Sequence, residues 1–196
     1  MKAIIYDCEI KNAIPDKNEP LRPNINYCKG WQDHLGMGIS VIGVFDYHVG
    51  QYRIFCEDNL SDFAALVDDS DHVIGFNHIH FDNKLVGAHG IEFDPRKDWD
   101  LFVEAKEAAG AGKYDKGYKL DDFVAVNFKI TKKQSGGMAP ILWQQGKIGQ
   151  VIDYCLTDIW LTKKCIDHIV DTRTATESGW LLDPRTGRRL SLNPPL

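Results

Sequence analysis

Three groups of residues have the types and spacings that chemistry can use. Asp7-Cys8-Glu9 ends the segment AIIYDCE at 3–9, which reads as a short strand with an apolar start. With a two-residue repeat, Asp7 and Glu9 project to one side of that strand and Cys8 to the other. Two carboxylates so close repel each other unless a cation lies between them, and oxygen donors suit Mg²⁺ or Mn²⁺. An exposed acidic strand end gives the same triplet. Asn77-His78-Ile79-His80-Phe81-Asp82 lies where the strand HVIGF (72–76) hands over to a helix. Sites in α/β proteins form at such junctions on the sheet's C-terminal edge. The plainer alternative makes Asn77 or Asp82 a turn or cap residue. Tyr154 and Asp158 stand four apart in a long helical segment, 149–170, so a phenol and a carboxylate share one face a turn apart. A partly exposed aromatic beside a solvated acid has that spacing too.

The elements that must position these groups are readable in outline. Strands are expected at 3–9, 39–47 and 51–56, the last two joined through His48-Val49-Gly50. A helix over 59–67 starts behind a possible Ser61 cap, and strand 72–76 is followed by a helix over 81–89. A short strand at 99–102 leads into a helix at 103–109, and helices follow at 118–126 and 149–170. Residues 10–38 are polar and rich in Pro and Gly, which suggests an irregular excursion at the rim of the sheet. Residues 179–192 resemble a hairpin turning at Asp183-Pro184-Arg185-Thr186-Gly187. Three early strands, then strands alternating with helices, predict a mixed α/β sheet with helices packed on it. The expected division is one domain over 1–170 and a C-terminal extension over 171–196.

Composition narrows the class. The 196 residues are 43% hydrophobic and 26% charged, which excludes disorder and low complexity. No apolar run is long enough to span a membrane, and Asp7 interrupts the N-terminus before a signal-peptide core can form. A cytoplasmic protein with no membrane partner is therefore expected. The five cysteines are odd in number and include no CxxC pair, which favours reduced thiols. Lys plus Arg total 23 against 28 for Asp plus Glu, a formal charge of −5. Taken alone, that balance argues against a nucleic-acid binder, whose electrostatic footprint is usually basic.

Taken together and in this order, D-x-E on a strand, N-x-x-x-F-D at a strand-to-helix junction and Y-x-x-x-D on a late helix resemble the DEDD superfamily of 3′–5′ exonucleases. The similarity is to the branch with tyrosine in its last motif, and it covers about residues 3–170. GISVIGVFDY and QYRIFC are similar to that family's second and third strands, and KDWDLF to the strand before its connecting helices. The run Val151-Ile152-Asp153-Tyr154-Cys155, with Asp158, Leu161 and Thr162, fits as well. The resemblance implies an RNase H-like fold and a metal-dependent enzyme that removes nucleotides from single-stranded 3′ ends, DNA favoured over RNA. It implies that Asp7, Glu9, Asp82 and Asp158 hold two divalent cations, Mg²⁺ or Mn²⁺, while Tyr154 orients the attacking water. Asn77 and Phe81 of the second motif are expected substrate contacts. Lys132 and Lys133 are another, because they belong to a basic, glycine-bearing stretch before the last helix. Ile10 departs from the small or hydroxyl residue many relatives carry there. Trp31, within the excursion, either packs at the rim or stacks a base. These 196 residues include no polymerase segment, so a proofreading role would call for a replication or repair partner chain.

Three rival readings follow from the same residues. His78-Ile79-His80-Phe81-Asp82-Asn83 also resembles the H-x-H-x-D-H zinc motif of metallo-β-lactamase-fold hydrolases, with Asn83 in place of the final histidine. That reading leaves Asp7, Glu9, Tyr154 and Asp158 without a role. A non-catalytic RNase H-like module that binds nucleic acid would not need all four carboxylates and the tyrosine. A nuclease cutting internally on the same fold remains open at this point.

Overall fold

The computed structural model describes residues 2–131 and 136–196. Its elements run β1 (Ala3–Ile10), α1 (His34–Met37), β2 (Ile39–Asp46), β3 (Gln51–Phe55), α2 (Leu60–Asp69), β4 (His72–Gly75) and α3 (Asp82–Gly87). There follow β5 (Asp98–Asp100), α4 (Leu101–Ala108), α5 (Leu120–Phe128), α6 (Ala139–Gln144), α7 (Ile148–Thr172), β6 (Gly179–Leu182) and β7 (Arg189–Leu192). The first five strands make one sheet of order β3-β2-β1-β4-β5. β1 pairs antiparallel with β2 and parallel with β4, so the chain reverses direction across the middle of the sheet. β2–β3 is antiparallel and β4–β5 parallel. The result is a mixed sheet with helices on both faces and a C-terminal two-stranded hairpin, compatible with the RNase H-like fold.

Strand alternation divides the core in two. Ala3 and Ile5 of β1 join one apolar cluster with α4, α5, α7 and the hairpin. Ile4, Tyr6, Cys8 and Ile10 join the other, beneath Phe63 and Val67 of α2 and Leu85 and Val86 of α3. All eight residues of β2 are buried, as befits a strand covered on both faces. The hairpin belongs to the first cluster through Leu181, Leu190 and Leu192. It lies directly against the α7 backbone: a Cβ at Gly179 would fall 1.8 Å from the carbonyl oxygen of Ile169, so only glycine fits.

Two helix starts differ from the sequence reading for a local reason. Leu101 and Phe102 are helical rather than extended, because the Asp100 carboxylate caps α4 by accepting from the N–H groups of Phe102 and Val103. α2 starts ahead of Ser61, behind a 3-10 turn at Glu57–Asn59 in which Asn59 Oδ1 accepts from Cys56 N at 2.6 Å. The 10–38 excursion is largely irregular, as expected, and a few hydrogen bonds tie it down. Ala13 N donates to Asn26 O and Cys28 N to Ala13 O, both at 3.0 Å, and the short helix α1 closes it. The short helix α6, led in by Pro140, had no periodic signal. All five cysteines are free, and no helix among the described residues is long and apolar enough to cross a membrane.

Candidate active site

The alternation that sends Ile4, Tyr6 and Cys8 into one core turns Asp7 and Glu9 towards α7. How closely α7 can approach is decided at Gly43, the residue opposite Asp7 in the β1–β2 register. A Cβ there would lie 2.4 Å from Ile159 Cδ1 and 2.8 Å from Cys155 Sγ, both on α7 and both fully buried. Cys155 Sγ in turn rests 3.5 Å from the Asp7 carbonyl oxygen. This close contact carries Tyr154 and Asp158, on the same helix, to the end of β1. Gly43→Ala is accordingly expected to cost about 1–3 kcal/mol through overpacking, read by chemical denaturation.

Asp7, Glu9 and Asp158 converge so that one carboxylate oxygen from each lies within 4.8 Å of the others. Among the described residues this is the one group of three or more His, Cys, Asp or Glu side chains so gathered. A register shift between Glu9 and Ile10 sits at its edge, a common way for a sheet to re-aim a side chain beside a site. Tyr154 is 8% exposed. Burial, then the negative field of Asp158, Glu9 and Asp7, and a hydrogen bond with Asp158, push its phenol well above the ordinary tyrosine value. In that field the hydroxyl stays protonated, able to donate or orient. At an effective dielectric of about 20, two ionised carboxylates this close repel by roughly 3 kcal/mol. Such a cluster of hard oxygen donors fits a divalent cation of the Mg²⁺ or Mn²⁺ type.

The second motif forms a loop over the end of β4, and its organiser is Asp100. This buried carboxylate accepts from Asn77 N at 2.7 Å and Phe102 N at 2.9 Å through Oδ1, and from Ile79 N at 3.1 Å through Oδ2. Asn77 takes a left-handed backbone, φ 62°, which asparagine tolerates better than most residues. His78 is fully buried between two acids, Nε2 3.3 Å from Asp98 Oδ1 and Nδ1 3.4 Å from Asp100 Oδ2. Asp98 Oδ2 also accepts from Asn83 Nδ2 at 2.9 Å, and Asn83 Oδ1 accepts from the Tyr6 hydroxyl. The sequence reading passed over Asp98 and Asp100. The signal that could have found them is the pair of acids in KDWDLF, alternating along a strand that ends at a helix start.

Asp82 opens α3, and its Oδ1 accepts from Cys8 N at 2.9 Å. Strand β4 pairs with β1 only as far as Ile5, so this carboxylate takes the place of a strand partner further along β1. Burial raises its pKa, with the His78 charge and the Cys8 N–H opposing. Asp82 thus borders the acid cluster at β1 but stands outside it. Phe81 is partly buried against the second core. Ile10 turns into that core too, away from the carboxylates. Lys132 and Lys133 lie outside the described residues. The zinc alternative is corrected here: His78 is enclosed by Asp98 and Asp100, His80 is exposed, and neither joins Asp82 in a ligand group among the described residues.

No family model matches the sequence, and no curated protein matches it. Among solved structures, the chain is similar to the family B DNA polymerase from the hyperthermophilic archaeon Pyrobaculum calidifontis. The TM-score is 0.57 at 15% sequence identity over 86% of this chain. The matched part is 24% of the polymerase, so this chain spans about a quarter of that protein's length. At such identity the likeness is one of fold.

Proposed function

We propose that this chain is a metal-dependent 3′–5′ exonuclease of the DEDD type, in its tyrosine branch, acting on single-stranded nucleic-acid ends with DNA preferred. The observation that carries this reading is the meeting of Asp7 and Glu9 of β1 with Asp158 of α7, beside Tyr154 of the same helix. The likeness in fold to part of a DNA polymerase supports a role on nucleic acid. In this reading residues 1–170 carry the catalytic domain and 171–196 an extension.

Asp7, Glu9 and Asp158 would hold one divalent cation, and Asp82, with Asp7, a second. Such cations lower the pKa of water and offset charge on the attacking and leaving oxygens of a phosphodiester. The chain's own residues do the rest. Tyr154 orients the attacking water through its hydroxyl while Asp158 holds that hydroxyl in place. The Asp100 cap keeps the second motif fixed, so that Asp82 is presented from a rigid helix start.

Tyr154→Phe tests the assigned division of labour. It is expected to slow hydrolysis on the order of 10- to 100-fold, the usual cost of an orienting partner. Stabilisation of the protein by added Mn²⁺ should persist in this variant. Loss of the Mn²⁺ effect would make the tyrosine part of the cation site instead.

A further inference from the structure

The 10–38 excursion carries an exposed indole beside the second motif. Trp31 is 66% exposed, and its ring meets Phe81 edge-on at 6.2 Å between centroids. His34 meets the same phenyl ring at 6.3 Å, and Leu35 beside it is 67% exposed. Phe81 directly precedes Asp82. An indole used for rim packing would be covered; this one offers most of its surface to solvent.

The turn that carries the indole is held in place. Asp33 gathers the turn around it: Oδ2 accepts from Lys29 N at 2.8 Å and Oδ1 from Gly36 N at 3.1 Å, while Asp33 N donates to Gly30 O at 3.0 Å. On the other flank Gln144 Nε2 donates to Lys11 O at 2.8 Å, and Gln144 Oε1 accepts from Asn26 N at 2.7 Å. The excursion is therefore tied to α3 on one side through Phe81 and to α6 on the other, across the end of β1 where Asp7 and Glu9 stand. An aromatic residue on an anchored turn loses less freedom when a flat ring lies on it than one on a loose loop would.

The geometry points to Trp31, backed by Phe81, as a stacking platform for an unpaired nucleobase near the reacting end of the strand, and so as a residue that sets the preference for single strands over paired ends. This rests on the exonuclease reading above. Bases in a duplex are already stacked on their neighbours and have no free face to offer, whereas any unpaired base does, whatever its identity.

The test compares the full chain with Trp31→Ala and Trp31→Phe on a single-stranded oligonucleotide and a blunt duplex, with Mn²⁺. Trp31→Ala is expected to raise KM for the single strand by roughly ten-fold or more, in line with the loss of one base–aromatic stack. KM for the blunt duplex should stay the same, so the preference collapses, and Trp31→Phe should restore most of it. A single strand with an abasic residue near its 3′ end should show the same penalty with the parent and no further penalty with Trp31→Ala. An unchanged KM, or an equal rise on both substrates, overturns the platform.

Binding of the same oligonucleotides without turnover, followed by quenching of indole fluorescence in an Asp7→Ala background, separates the two claims. Quenching that disappears in Trp31→Phe, when the parent chain with Asp7 intact cleaves nothing with any divalent ion, would keep the platform and sink the exonuclease. Cleavage without Trp31-dependent quenching would do the reverse. Neither cleavage nor quenching would remove both.

Discussion

Asp7→Ala and Asp158→Ala are each expected to reduce hydrolysis by more than about 100-fold, because losing even an outer partner of a metal ligand costs 10- to 100-fold. Stability reads the cation site separately from turnover. In chelator, removing one of three crowded carboxylates relieves repulsion, while Asp158→Ala also takes a hydrogen bond from the buried Tyr154 hydroxyl. The deciding quantity is therefore the shift that Mn²⁺ adds. A ligand that binds only the folded state at about 100 times its Kd adds roughly 2.7 kcal/mol. For a chain of this size that corresponds to a rise in Tm on the order of 5–10 °C. The parent should show this rise and both variants should lose it. A thermal scan with and without Mn²⁺ reads both arms. A variant that loses activity but keeps the full Mn²⁺ shift would place the cation elsewhere.

Asp100→Ala should have the largest effect on stability of any single change near the site. It strands the N–H groups of Asn77, Ile79 and Phe102 and leaves His78 with one acid instead of two. Breaking a buried, hydrogen-bonded charge network by removing one member typically costs about 3–5 kcal/mol. Urea denaturation should show a loss of that size with little change in slope. The loop from Asn77 to Phe81 then loses its anchor, and hydrolysis should fall even below the unfolding temperature. Asp100→Asn, which keeps an acceptor but not the charge, should recover part of the stability. If Asp100→Ala proves nearly neutral, the loop is held by something other than the carboxylate.

Much of the sheet was legible because its signals are local. β1 and β2 announce themselves as apolar, β-branched runs, β3 by following them across the turn at His48-Val49-Gly50, and the long α7 by its apolar stripe from Val151 to Ile169. The pairing of Asp7 with Glu9 and of Tyr154 with Asp158 followed from periods of two and of four. That the two pairs meet depends on contacts no spacing reveals, above all the absence of a side chain at Gly43. Ser61 misled because a 3-10 turn ahead of it moved the cap to Asn59. The ties that anchor the irregular 10–38 segment were hidden because they reach over long separations, such as Gln144 to Lys11. Trp31 shows how limited residue type alone is, since only the structure reveals that it is 66% exposed. His78 shows the converse, since an imidazole in a metal-like motif is enclosed by two acids that the motif does not contain.

The central claim is tested most directly by digesting a 5′-labelled single strand with the purified chain in Mg²⁺ or Mn²⁺, alongside chelator, Asp158→Ala and His80→Ala. The account predicts a ladder shortened from the 3′ end one nucleotide at a time, absent with chelator and with Asp158→Ala, and unchanged with His80→Ala. Release of the label from the 5′ end, internal cuts, activity that survives Asp158→Ala, or a zinc-dependent activity lost in His80→Ala would each contradict it.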